Sequence, residues 1–226
     1  VAVLMLTEVD YRTGRMHDML ALNKLAQHVG AITLWDLAHS AGAVDVNLMQ
    51  SNTDFAVGCT YKYLNAGPGA PAFIYVAPHL ANTVSPALSG WLGHAVPFAF
   101  EPSYRSGPAI ERMRIGTPAV IASASLDAAL DIWDQVDMVD IRMKSVVLSN
   151  LFIEKIQETC PMLSLASPKE AKLRGSQVSF HFQEGYAAMQ ACISNGVIGD
   201  FRAPDIMRFG FAPLYVDEND VLAACD

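Results

Sequence analysis

Two hundred and twenty-six residues, 52% hydrophobic and 17% charged, can bury a core and are too apolar for a disordered or low-complexity chain. Fifteen basic against 23 acidic residues give a net charge of -8, the wrong sign for tracking a phosphate backbone, which excludes nucleic acid as an expected partner. No apolar run reaches the roughly 20 residues of a membrane-spanning helix, and the four cysteines (Cys59, Cys160, Cys192, Cys225) lack metal-ligand spacing, so reduced thiols, a cytoplasmic setting, no membrane and no metal are expected.

In chain order, Val1 to Leu6 reads as a buried strand and Tyr11 to Gly14 as a turn, followed by a helix over Met16 to His28. Further buried strands are predicted at Ala31 to Trp35, Phe55 to Cys59 and Phe73 to Val76. Strands alternating with helical segments predict an α/β fold with an open, mostly parallel sheet. Ser89 to Pro118, rich in Gly, Pro and aromatic residues, reads as long functional loops with short strands. Helical periodicity returns between Pro118 and Cys160. A smaller unit follows, with strands at Val178 to Phe182 and Val197 to Phe201, a helix at Tyr186 to Asn195, and a further strand and loop in "APDIMRFGFAPLYV". The expected division is residues 1–125, 126–160 as a helical connection, and 161–226. An opening strand without initiator Met predicts a chain cut from something longer.

The densest polar constellation is "WDLAHSAG" (35–42) followed by "GCTYKYLNAGPGAP" (58–71). Each begins as a predicted strand ends, which brings Asp36, His39, Tyr61 and Lys62 to one sheet edge, where open α/β sheets bind ligands. A carboxylate for a cationic ring nitrogen and a lysine for an aldehyde are the equipment of pyridoxal phosphate chemistry. Singly, each residue has a plainer reading: Asp36 as a helix N-cap, His39 as a core histidine, Lys62 as a solvated loop lysine.

The 26 positions from Asp36 to Lys62, with "DLAH" and "TYKYLNAGPGAP", resemble the class V aminotransferase-fold enzymes, and among those the kynureninases. "VDYRTG" (9–14), "SGWLGH" (89–94), "RIGTP" (114–118), "RGSQVS" (174–179) and "MRFGFAPLY" (207–215) fall in that family's order, so the resemblance covers the entire chain. It implies a fold-type I, aspartate aminotransferase-like architecture: part of the large domain and most of the small α+β domain, with the phosphate-cradling Ser/Thr loop supplied by preceding sequence. It implies that Lys62 bonds covalently to pyridoxal 5'-phosphate and shuttles the substrate Cα proton, and that Asp36 pairs with the ring nitrogen. His39 would sit near the cofactor's 3-oxygen or the substrate, while Tyr61 contacts the phosphate and acts as a general acid. Trp91 and Thr117 would reach a phosphate from the partner subunit, implying a homodimer with shared sites. Arg208 would hold the substrate α-carboxylate. The implied reaction is hydrolysis of the Cβ–Cγ bond of L-kynurenine or its 3-hydroxy form to anthranilate or 3-hydroxyanthranilate and L-alanine. That reaction belongs to tryptophan catabolism and NAD biosynthesis.

Arg174 of "RGSQVS" reads either as a folding residue or as part of the carboxylate site and stays outside the catalytic set. A cysteine desulfurase or selenocysteine lyase of the same superfamily is the nearest rival, but its nucleophilic cysteine is missing from "GVIGDFRAPDI" ahead of Arg208. A noncatalytic α/β domain is the rival of another class. "GPGAP" lacks the third glycine of a dinucleotide-binding loop.

Overall fold

The computed structural model describes residues 2–225, so Val1, at the head of the first predicted strand, and Asp226, the last residue of the predicted small unit, lie outside the described residues. The first sheet holds β1 (Val3–Thr7), β2 (Ile32–Asp36), β3 (Phe55–Cys59) and β4 (Ala72–Val76) side by side in chain order. β1, β2 and β3 run parallel, and β4 returns antiparallel along β3. Between β1 and β2 runs α1 (Met19–His28), capped by the Asp18 carboxylate, which accepts from the Ala21 amide at 2.9 Å. The helix starts later than its periodicity predicts because Arg15 and Met16 are already engaged in bridges to Arg174 and Val9.

One face of this sheet packs on α1. Trp35, 1% exposed, clusters there with Met19, Leu37 and Ala56. Its indole N–H donates to Asn23 Oδ1 at 2.7 Å, and Asn23 Nδ2 donates in turn to the Ser51 carbonyl at 2.8 Å and to Thr53 Oγ1 at 2.9 Å. A buried N–H left unpaired costs about 1–3 kcal/mol, so this network is what lets a tryptophan fill the core. Strand alternation then turns Asp36, between Trp35 and Leu37, to the opposite face. That face departs from the expectation of strands buried on both sides: Val3, Met5, Ile32 and Ile74 are 43–65% exposed, because α1 covers only the Trp35 side.

α2 (Val120–Trp133) and α3 (Met138–Thr159) lead to the second sheet, which is antiparallel throughout. Its order is β5 (Ser164–Leu165), β6 (Gln177–His181), β8 (Ile206–Gly210), β7 (Asp200–Arg202). Buried Ile141, Leu148, Phe152 and Ile156 form a helical stripe on α3. Phe152 packs against Phe209 at 4.9 Å and Phe211 at 5.4 Å between ring centroids. α4 (Gly185–Ser194) precedes β7, and α5 (Glu218–Ala223) carries a capping box of Asp217 and Asp220. β7 starts later than predicted, because the Val197 amide is spent on the Cys192 carbonyl at the end of α4 and Gly199 turns back onto Val197.

Residues 89–118 form three 3-10 turns (Trp91–Gly93, Pro97–Ala99, Ala109–Met113) and one isolated bridge, His94 to Ser106, in place of the predicted short strands. Pro97 and Pro108 have no amide to give a ladder. The two sheets are stitched together near the future site. Gly14, at φ +71°, lies so close to Gln177 that a Cβ would stand 2.8 Å from its carbonyl, and the Gly175 amide donates to Gly14 at 2.8 Å. Among the described residues, no helix is long and apolar enough to cross a membrane.

Candidate active site

Because β2 and β3 are parallel, both end on the same edge, and the residues that follow them meet there. The ladder continues one step past the strands through Leu37 N–H to the Val57 carbonyl at 2.8 Å. Asp36 Oδ1 accepts from the Ala38 amide at 2.8 Å, so the carboxylate caps a turn rather than a helix. His39 rides on that turn. Gly42, at φ +82°, seats it against the backbone of Tyr63, 2.8 Å from where a Cβ would stand.

Lys62 follows β3 by three residues. Its Nζ lies 5.5 Å from the centroid of the Tyr61 ring, and among the described residues no carboxylate pairs with it. Tyr61 is 49% exposed, and partial burial, then Cys59 and the Asp36 charge, raise its phenol. The facing wall comes from the second sheet. His39, Tyr61, Lys62 and Arg208 line one cleft of about 410 Å³, together with Asp200 and Tyr215. Arg208 is buried; Nη1 donates to the Tyr11 carbonyl and Nη2 to the Asp200 carboxylate, while buried Nε has no partner.

The electrostatics register this assembly. Burial, reinforced by the positive charges of Lys62 and Arg208, pushes His39 down to about 4, against the opposing pull of Asp36 and Asp10. At neutral pH the imidazole is therefore uncharged, a hydrogen-bonding group rather than a cation. Among the described residues, no group of three or more His, Cys, Asp or Glu could hold a metal ion.

His39, Tyr61, Lys62 and Arg208 thus share the cleft, and Asp36, which does not line it, stands near enough for its charge to act on His39 and Tyr61. Neither Trp91 nor Thr117 lines the cleft. Trp91 stacks edge-on against Phe98 at 5.5 Å, and Gly116 lies against its indole nitrogen, which puts "SGWLGH" and "RIGTP" on one platform with both residues exposed. Arg174 is fully buried away from the cleft and ties α3 to the loop before β6, donating to Ser149 Oγ at 3.1 Å, the Lys169 carbonyl at 2.6 Å and Asn150. It is a folding residue. Sequence reasoning overlooked Asp200, Gln177 and Tyr63. Tyr63, its phenol raised by burial, donates to the Ser176 carbonyl at 2.9 Å and fastens the Lys62 loop to the second sheet. Asp200 could have been found by pairing the two strands predicted around "RAPD" as a hairpin, which sets it opposite Arg208.

Residues 141–226 match the kynureninase C-terminal domain family. Over 222 residues the chain is 51% identical to a kynureninase of Pseudomonas fluorescens, covering 97% of this chain and 53% of the relative. A kynureninase of Burkholderia mallei (strain SAVP1) is 47% identical over 227 residues, 100% of this chain and 55% of the relative. The chain spans about half the length of the curated relatives it matches. Among solved structures, the cysteine desulfurase of Thermococcus onnurineus NA1 superposes with a TM-score of 0.81 at 21% identity, covering 100% of this chain and 58% of that one. C-DES, a cystine C–S lyase solved with glycine covalently linked to its pyridoxal-phosphate cofactor, superposes with a TM-score of 0.85 at 17% identity, covering 100% and 60%. The fold is that of the class V, fold-type I pyridoxal-phosphate enzymes, and the sequence is similar along its whole length to kynureninases.

Proposed function

We propose that this chain carries the lysine wall and the arginine wall of a kynureninase, a pyridoxal-phosphate-dependent hydrolase that converts L-kynurenine or 3-hydroxykynurenine and water to anthranilate or 3-hydroxyanthranilate and L-alanine. The observation that carries the reading is the meeting of Lys62 and Arg208 in one cleft, in a chain 51% identical to a kynureninase. The donor set fits the cofactor: a lysine amine that no carboxylate pairs with among the described residues, a carboxylate at the adjoining strand end, and an uncharged imidazole within reach of both charges. Bound here, pyridoxal phosphate supplies the electron sink for carbanion chemistry at the substrate Cα.

The chain's own residues orient and move protons. Lys62 Nζ, once free, takes the Cα proton and returns it. The Asp36 carboxylate holds a proton on the ring nitrogen, where its charge stabilises the cation. Tyr61, its phenol kept protonated by its raised pKa, donates its hydroxyl proton during product formation. Arg208 grips the α-carboxylate, and neutral His39 leaves that carboxylate to the arginine. Residues 1–125 would belong to the cofactor domain, 126–160 to the helical connection and 161–226 to the small domain. The exposed Trp91–Thr117 platform would serve a partner subunit's cofactor phosphate in a homodimer, in the cytoplasm, within tryptophan catabolism or NAD biosynthesis.

The test is anthranilate fluorescence released from L-kynurenine by the natural polypeptide carrying this chain, loaded with pyridoxal phosphate, beside its Lys62→Ala variant. Borohydride reduction followed by peptide mapping should fix the cofactor on Lys62. A folded, cofactor-loaded protein that releases no anthranilate would overturn the reading. The desulfurase likeness is one of fold, and among the described residues no cysteine lines the cleft.

A further inference from the structure

Arg208 has five N–H donors, and the structure assigns only some of them. Nη1 meets the Tyr11 carbonyl, Nη2 meets Asp200, and the buried Nε meets nothing. Asp200 and Arg208 are register partners across the β7–β8 ladder, so strand pairing rather than rotamer choice brings them together. Asp200 also accepts on Oδ1 from Arg202 Nη1 at 2.8 Å. The Tyr11 ring, 5.9 Å from the guanidinium carbon, adds a further restraint. The Arg208 side chain is 10% exposed and that of Asp200 44%, and both line the cleft.

A carboxylate already on the arginine has two opposed effects on an incoming one. It offsets charge, which weakens attraction, and it fixes the planar fork, which favours two-point binding. Arg202 decides between them. Two guanidiniums on one carboxylate leave the triad with one net positive charge, the amount that a single α-carboxylate balances. Resting on the amino-acid substrate reading above, we propose that Asp200 is a positioning residue. With the Tyr11 carbonyl it holds the Arg208 guanidinium so that the N–H groups it leaves unspent toward the cleft receive the α-carboxylate of the substrate.

The test compares binding of L-alanine and ethylamine, which differ by the carboxylate, to the natural cofactor-loaded protein, read from the cofactor's absorption. Asp200→Asn should cut the preference for L-alanine about tenfold, and Asp200→Glu should restore most of it. In an Arg208→Gln background Asp200→Asn should change nothing further, whereas a purely structural role would lower the preference in both backgrounds. Should Asp200→Asn fail to fold, Arg202→Gln, which frees the outer side of Asp200, should give a smaller loss of the same preference. Additive losses, an unchanged preference, or tighter L-alanine binding in Asp200→Asn would overturn the proposal. A protein that shows the expected pattern but never cleaves L-kynurenine sinks the kynureninase reading alone.

Discussion

Lys62 and Arg208 face the same cleft and are held in opposite ways. The lysine sits on a loop beyond β3, with an aromatic ring 5.5 Å away and, among the described residues, no carboxylate bound to it. The arginine sits inside β8, buried, with a carbonyl and a carboxylate on its fork. The contrast follows from what each is asked to do. A lysine that must form and break a covalent bond needs an amine free of strong partners, and a tight carboxylate would keep it protonated. An arginine that recognises a carboxylate gains from being fixed beforehand, since it is charged at any working pH and only its orientation can be improved.

Replacing the free lysine should have the largest effect. Lys62→Ala should lower anthranilate release by about a thousandfold or more and abolish borohydride trapping at that position, with folding unchanged. The support beneath the lysine wall comes next. Trp35→Ala should destabilise the protein by about 3–5 kcal/mol in denaturant unfolding, because it empties the core under Asp36 and strands the Asn23 amide. On the arginine wall, Arg208→Lys keeps the charge but loses the fork, and kcat/KM for L-kynurenine should fall about a hundredfold, mostly through KM. An effect confined to kcat would break the contrast, since it would make the arginine part of the chemistry.

The smallest effect is on pH dependence. His39 titrates at about 4 in the folded protein against an ordinary value of 6.5, so between those values the unfolded chain binds more protons and stability falls as pH falls. Glu8 works the other way: burial raises its carboxyl above 4.5, and its contribution is lost as pH rises past that point. His39→Gln should flatten the loss of stability between pH 6.5 and 4, measured by urea unfolding without cofactor.

Much of the lysine wall was legible before any coordinates. Asp36 and Lys62 each stand just past a run of apolar residues, and a parallel sheet forces such positions to one edge. The arginine wall was legible only in part. "MRFGFAPLY" marks Arg208, but nothing local marks Asp200, which becomes its partner through the register of an antiparallel pair. Residues 89–118 form turns where short strands are expected, because glycine and aromatic residues occur in both strands and tight turns. Trp91 and Thr117, singled out by motif, lie together but away from the cleft.

By itself the sequence determined the four strands of the first sheet and the residue types at their ends, because both follow from side-chain pattern over a few residues. Only the tertiary structure decided that Arg174 is a buried tie and Arg208 a cleft residue, although both are arginines at or near the strands of the same sheet. The reason is physical: a guanidinium's role depends on which acceptors reach it, and those acceptors come from Tyr11 and Asp200 in one case and from Ser149, Asn150 and Lys169 in the other.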